Sequence, residues 1–122
     1  MERVKGIGGV FFKAKDKDAL LAWYRDNLGV PVEPWGGHAF RWVGEGTTTW
    51  SAFEEGSDYF EPTNARYMIN YRVDDLDAML AQLREAGADV DDKIDESEYG
   101  RFGWARDPEG NRFELWQPPE GM

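Results

Sequence analysis

The sequence predicts an α+β fold made of two tandem βαβββ units in a single domain of 122 residues. Residues 16–25 and 75–84 match at six of ten positions, and a short apolar run precedes each segment. Self-similarity of this kind indicates a repeated structural unit. We place the first half at about residues 5–53, a connection at 54–66 and the second half at about 67–117, where Gly, Pro and Asn separate apolar stretches.

The two matching segments are predicted to be amphipathic helices. Asp16 and Asp75 stand at the helix starts, where a carboxylate accepts a hydrogen bond from an unpaired backbone N–H group. Gly29 and Gly87 end the helices, because glycine adopts the left-handed conformation that closes a helix. Apolar residues at helical spacing give each helix one stripe for covering a sheet: Leu20, Trp23, Tyr24 and Leu28, then Leu76, Met79, Leu80 and Leu83.

The strands after each helix are predicted at residues 32–34, 38–43 and 47–53, and at 90–94, 100–106 and 112–117. Because side chains alternate along a strand, one side packs against the helices and the other faces away from them. The packing side is expected to hold Val10, Phe12, Ile69, Tyr71, Val73, Phe113 and Leu115. A ligand cleft is expected on the other side, with Gly9, Phe11, Lys13, Met68, Asn70, Arg72, Arg112, Glu114 and Trp116.

Charge and composition exclude several classes of partner. The chain has 14 Lys and Arg against 24 Asp and Glu, so its formal charge of −10 repels nucleic acids and anionic membranes. This acidic field favours cationic ligands or serves solubility alone. The lack of cysteine excludes disulfides and thiol chemistry and fits a reducing compartment. With no signal-peptide pattern and no apolar run of roughly 18 residues, we expect a cytoplasmic protein.

Particular sequence stretches carry a family resemblance. KAKDKDALLAWYRDNLGV in the first half, and YRVDDLDAMLAQLREAGADV followed by DPEGNRFELW in the second, resemble the vicinal oxygen chelate superfamily over essentially the whole chain. The resemblance implies a curved, cup-shaped mixed sheet with the helices outside, and a homodimer. Glyoxalase-like lyases and ring-cleaving dioxygenases of this type hold a divalent metal in the cup through His and Glu side chains. Bleomycin-resistance proteins instead bind a drug without metal.

Most of the family's metal-ligand positions carry other residues in this chain. The usual first-half histidine position is Gly9, which offers no donor, and the second-half one is Met68, whose thioether suits softer ions. The first-half carboxylate position falls near Trp50 or Ser51. Only Glu114 is retained, and one carboxylate does not supply the three or four protein ligands of a catalytic ion. We therefore expect no divalent metal, and no other cofactor, in the cup.

Glu114 and His38 are the two candidate catalytic residues. In a structural interpretation, Glu114 pairs with Arg72 or Arg112 on the same sheet face. In a functional one, it binds a ligand amine or acts as a general base. His38 is the single histidine, and a lone histidine at a strand end is more often a surface residue than a catalyst. Residues 107–111, DPEGN, are predicted to form a tight turn with a structural role.

The sequence favours a small-molecule-binding protein that holds an aromatic or cationic ligand in the cup without a metal. The residues expected to line the cup are Phe11, Trp50, Met68, Asn70, Arg72, Glu114 and Trp116. Two alternatives stay open. One is a lyase, isomerase or dioxygenase whose metal or acid–base site has moved, using Glu114 with His38 or with a residue of segment 54–61. The other is a structural dimer module with an empty cup.

Overall fold

The structure, a computed structural model, describes residues 2, 10, 12, 14–40 and 56–120. The elements in this part of the chain are α1 (Lys17–Leu28), β1 (Ile69–Arg72), α2 (Leu76–Glu85), β2 (Asp89–Val90), β3 (Asp95–Ser97), β4 (Gly100–Arg106) and β5 (Arg112–Gln117). The α+β class is as predicted. The strand predicted at residues 90–94 is wrong in its bounds, because β2 ends at Val90 and a separate strand, β3, begins at Asp95.

The strands form one mixed sheet in the order β1-β5-β4-β2, and β3 also pairs with β4. Strand β1 runs parallel to β5, whereas β4 runs antiparallel to β5, β2 and β3. In this register, Glu114 of β5 lies between Asn70 of β1 and Trp104 of β4. Directly opposed residues on neighbouring strands project to the same face of a sheet. The topology therefore brings these three side chains together.

Both helices begin where the sequence predicts and α1 ends there too, whereas α2 ends at Glu85, one residue earlier than expected. Asp16 and Asp75 have extended backbones, and each side chain accepts a hydrogen bond from the backbone N–H three residues later. Gly29 follows α1 with a left-handed φ of 69°. Gly87 lies two residues after α2 at a φ of 79°, a conformation that costs glycine little and other residues more. These local signals fix the helix bounds.

The core lies between α2 and one face of the sheet. Leu76, Leu80 and Leu83 are 0–1% exposed and pack with Ala105, Phe113 and Leu115 of β4 and β5. Burial of a leucine side chain stabilises a fold by about 1.5–3 kcal/mol. Phe113 and Leu115 thus face the helices, as the alternation predicted. In the first half, Phe12 contacts the Tyr24 ring at 6.1 Å between centroids, but Val10 is 54% exposed and lies outside this cluster.

The turn at residues 107–111 fastens α1 to the second half. Asp107 is 5% exposed and accepts hydrogen bonds from the Tyr24 hydroxyl and the Asn111 amide, both at 2.8 Å. It also accepts from the backbone N–H groups of Glu109 and Asn111. The Glu109 carboxylate in turn accepts from the backbone N–H groups of residues 15 and 16, just before α1. The turn therefore has the structural role that the sequence predicted.

The first-half strand predicted at residues 32–34 is wrong. A tight turn replaces it, with a single antiparallel bridge between Glu33 and Gly37. Pro34 removes a backbone donor, and Gly36 takes a φ of 101°, so the chain turns back instead of extending. Residues 38–40 are not in a strand either, and the rest of the strand predicted at 38–43 and all of that at 47–53 fall outside the described residues.

The described helices are short. Helix α1 has 12 residues and α2 has 10, whereas a transmembrane helix needs about 20 apolar residues. In the part of the chain that the structure describes, no helix meets the length and hydropathy needed to span a bilayer.

Candidate functional site

The candidate site lies on the sheet face opposite the two helices, which we call the distal face. Its side chains come from alternate positions of three adjacent strands: Asn70 and Arg72 of β1, Arg112, Glu114 and Trp116 of β5, and Phe102, Trp104 and Arg106 of β4. Glu114 belongs to β5, the strand between the other two, and is only 6% exposed. A buried carboxylate needs compensating hydrogen bonds, because its desolvation is costly.

Three uncharged donors supply those hydrogen bonds to Glu114. The Asn70 side-chain amide donates to Oε1 at 2.6 Å, and the Trp104 indole N–H donates to Oε2 at 2.9 Å. The Tyr59 hydroxyl also donates to Oε2. Hydrogen bonds to a charged group stabilise by about 1.5–3 kcal/mol each. Both carboxylate oxygens are therefore engaged by side chains of the same protein.

Tyr59 reaches this site from the segment that connects the two predicted halves. Residues 56–66 form turns without a helix or strand. The Tyr59 ring meets the Trp104 ring edge-on, with centroids 5.8 Å apart and planes at 81°. Burial, followed by the hydrogen bond to Glu114 and its negative charge, raises the pKa of Tyr59 above its usual value. The phenol therefore keeps its proton at neutral pH and stays a donor.

Sequence reasoning did not name Tyr59. It placed a partner for Glu114 in segment 54–61 only as one alternative, and an aromatic residue in an irregular acidic segment gives no periodic signal. The contact spans 55 positions, and the segment's fold decides it. The structure places Trp104 on the distal face beside Glu114, at 3% exposure.

The predicted ion pair of Glu114 with Arg72 or Arg112 does not form. Arg112 donates to Asp91 at 2.7 Å, and its guanidinium lies over the Trp104 ring at 5.6 Å. The Arg72 guanidinium carbon lies 5.6 Å from the centre of the Trp116 ring. The physical reason is register: Asn70 and Trp104 lie directly opposite Glu114, whereas the two arginines are each displaced by two residues along their strands.

The two distal-face tryptophans are largely covered by neighbouring side chains. Trp116 is 7% exposed and lies between Arg72 on β1 and Phe102 on β4, whose ring is nearly parallel to it at 6.2 Å. The Trp116 indole N–H donates to the backbone carbonyl of Tyr99. Trp104 is covered by Tyr59 and by two cations, Arg112 at 5.6 Å and Lys93 at 5.9 Å. The chain's own cations thus already lie over both indoles.

The structure does not join the two candidate catalytic residues. The Nδ1 atom of His38 lies 3.2 Å from Oε2 of Glu33, and its ring packs edge-on against Phe40. Among the described residues, no contact connects His38 with Glu114. Met68, half-buried, directly precedes β1. Five other sequence-predicted positions lie outside the described residues: Gly9, Phe11, Lys13, Trp50 and Ser51.

The residues that the structure describes around Glu114 do not fit a divalent metal. Within residues 14–40 and 56–120, no group of three or more His, Cys, Asp or Glu side chains is placed to hold an ion. The indole N–H of Trp104 is a donor with no lone pair to offer, and the Tyr59 phenol keeps its proton. The hard cations of the family require several oxygen or imidazole ligands. Here the partners of the Glu114 carboxylate are hydrogen-bond donors, which do not coordinate a cation.

The three tyrosines with raised pKa values predict how stability depends on pH. Burial raises the pKa of Tyr24, Tyr59 and Tyr71, and the hydrogen bond from Tyr24 to Asp107 adds to the effect. An unfolded tyrosine titrates near pH ~10, so their contribution to stability is complete below that pH and is lost as pH rises beyond it. We expect the urea concentration at the unfolding midpoint to fall above pH ~10. Absorbance at 295 nm should show these phenols ionising only as the protein unfolds. Their ionisation in the folded protein at that pH contradicts the prediction.

Comparisons with known proteins agree with the fold. A family model described as Glyoxalase-like domain matches residues 9–116. No curated protein sequence matches the chain. An antibiotic binding protein, TnmS3 from Streptomyces sp. CB03234, is similar with a TM-score of 0.59 and 20% identity, over 98% of this chain and 100% of that one.

Two further solved structures have a similar fold. Lactoylglutathione lyase from Agrobacterium tumefaciens has a TM-score of 0.54 at 20% identity, over 94% of this chain and 95% of that one. The oxidase ChaP-H2 has a TM-score of 0.51 at 23% identity, over 89% and 90%. At such identities the likeness shows the shared fold, and the chemistry must be argued from the site.

Proposed function

Because this chain belongs to the glyoxalase-like domain family, we propose that it binds a small molecule over the distal face and works without a divalent metal. The observation that carries the proposal is that Asn70, Trp104 and Tyr59 donate hydrogen bonds to both oxygens of Glu114. The carboxylate that the family resemblance offers for an ion is engaged here by hydrogen-bond donors. A buried polar group with aromatic neighbours is typical of a binding site.

The same contacts favour binding over acid–base catalysis. A general base must reach a substrate proton with a free lone pair at about 2.6–3.2 Å. Oε2 of Glu114 already accepts two hydrogen bonds, so proton abstraction by this oxygen requires one of them to break, and only Oε1, which accepts one, keeps an unused lone pair. The enzymatic alternative would pair Glu114 with Tyr59, whose raised pKa keeps the phenol protonated at neutral pH. The antibiotic-binding protein of similar fold supports binding, whereas the lyase and oxidase show that this fold also hosts catalysis.

A thermal-shift screen with neutral, anionic and cationic aromatic compounds tests the proposal. A ligand at 100 times its Kd stabilises a folded protein by about 2.7 kcal/mol, which raises the melting temperature by several degrees. We expect at least one compound class to do so, and we expect Glu114→Gln to reduce the shift. Glu85→Gln, at an exposed position on α2, is the matched control. Stabilisation that is equal in both variants, or none in any class, contradicts the proposal.

We further propose that the protein is a cytoplasmic homodimer, as the family resemblance and the lack of cysteine suggest. Light scattering on the purified protein measures the mass of the particle and so tests whether the protein is a dimer. A mass twice that of one chain is the expected result, and the mass of one chain contradicts it.

A further inference from the structure

The three donors to Glu114 differ in how the fold holds them. Asn70 and Trp104 belong to strands β1 and β4 and lie opposite Glu114 in the sheet register. Tyr59 belongs to the irregular segment 56–66 and reaches Glu114 from outside the sheet. The sheet therefore fixes two of the hydrogen bonds, whereas the third depends on the position of a turn-rich segment. A group that replaced Tyr59 would leave the other two bonds intact.

Tyr59 shows how an aromatic hydroxyl fits this site. Its ring lies edge-on to Trp104 at 5.8 Å, its hydroxyl donates to Oε2 of Glu114, and the residue is half-buried. An ionised carboxylate only accepts hydrogen bonds, so it attracts a hydroxyl donor and repels an ether, carbonyl or carboxylate oxygen. An analogue that displaces Tyr59 but has no donor costs Glu114 one hydrogen bond without replacing it, so the site discriminates against such an analogue.

This geometry, together with the proposed function on which the inference rests, points to a ligand class. We infer that the ligand carries an aromatic hydroxyl, and that this hydroxyl takes the place of the Tyr59 phenol on Glu114. Tyr59 is then a specificity-determining residue that competes with the ligand. Occupants that carry only acceptor oxygens gain no hydrogen bond from Glu114.

The arrangement around the indoles argues against the cationic ligand that the acidic net charge first suggested. A ligand cation can form a cation–π interaction only where the face of an aromatic ring is accessible to it. At Trp104 this position is taken by Arg112 and Lys93, and at Trp116 by Arg72. Both indoles are less than a tenth exposed. A cation would have to displace the protein's own charges, whereas an uncharged phenol would not.

Calorimetry with 2-naphthol and its methyl ether, 2-methoxynaphthalene, tests the inference, because the two differ in one hydrogen-bond donor. We expect the wild-type protein to bind 2-naphthol more tightly. Tyr59→Phe keeps the ring and removes the competing hydroxyl, so it should raise the affinity for 2-naphthol about 5- to 10-fold. Tyr67→Phe, at a side chain that is 89% exposed, is the matched control and should change neither affinity.

Glu114→Gln provides a second readout that does not depend on how well the Tyr59 variant folds. It should lower the ratio of 2-naphthol affinity to ether affinity about tenfold, towards one. A ratio unchanged by Glu114→Gln, or a 2-naphthol affinity that falls in Tyr59→Phe, overturns the inference. Equal binding of both compounds by the wild-type protein overturns it too, but leaves the proposed function standing. If the wild-type protein and both variants bind neither compound, and no compound of the thermal-shift screen stabilises the protein, both the proposed function and this inference fail.

Discussion

Replacing Asp107 by alanine is expected to lower the free energy of unfolding by about 3–5 kcal/mol, one of the two largest effects that we predict for a single substitution. The carboxylate is 5% exposed and accepts four hydrogen bonds, from the Tyr24 hydroxyl, the Asn111 amide and two backbone N–H groups. Its removal leaves these donors unpaired and frees the turn that holds α1. Urea denaturation at neutral pH, followed by tryptophan fluorescence, measures the loss.

Two control variants separate the effect of the hydrogen bonds to Asp107 from the effect of removing a negative charge. Tyr24→Phe removes a single donor to the Asp107 carboxylate and should cost less than Asp107→Ala, about 1.5–3 kcal/mol. Asp92→Ala changes an exposed carboxylate on the loop after β2 and should stay within about 0.5 kcal/mol. If Asp107→Ala costs no more than Asp92→Ala, the turn does not anchor α1 in the way that the hydrogen bonds indicate.

Glu114→Ala is expected to destabilise the protein by about 2–4 kcal/mol, because it leaves the donors of Trp104, Tyr59 and Asn70 without their acceptor. Trp104 is 3% exposed, so its N–H group does not easily find water instead. Glu114→Gln keeps the side-chain shape and one acceptor oxygen, and it should lose about half as much. The measurement is again the urea midpoint, with Glu85→Ala as the exposed control.

This second prediction also distinguishes two views of Glu114. A buried carboxylate that served only metal binding or proton transfer would destabilise the folded protein. Its removal would then leave the free energy of unfolding unchanged or raise it. A carboxylate that satisfies three donors contributes to stability, and its removal lowers it. A Glu114→Ala variant as stable as the wild-type protein would contradict the hydrogen-bonded site described above.

The parts of the fold that local sequence patterns determine were predictable. Asp16 and Asp75 cap the helices as expected, because a side-chain oxygen three residues before a backbone N–H is a local arrangement. The alternation Phe113, Glu114, Leu115 assigned the two faces of β5 correctly, since side chains in a strand alternate strictly. The family resemblance implied a mixed sheet with the helices outside, and the structure has a mixed sheet with α2 packed on one of its faces.

What depends on tertiary contacts was not predictable. The sequence placed Glu114 on a face with two arginines, but only the register of β1 and β4 shows that Asn70 and Trp104 are its neighbours. Tyr59 lies in a segment without hydrophobic periodicity, so no sequence pattern predicted its contact with Glu114. The predicted strand at 32–34 failed because turn residues outweighed its apolar character.

Metal content is the measurement that bears most directly on the account, because the central claim is that donors, not an ion, satisfy Glu114. Protein purified without chelators and equilibrated with magnesium, manganese, nickel and zinc ions should hold well below one metal per chain after gel filtration. Glu114→Gln should give the same value. One metal per chain in the wild-type protein, lost in Glu114→Gln, would contradict the account.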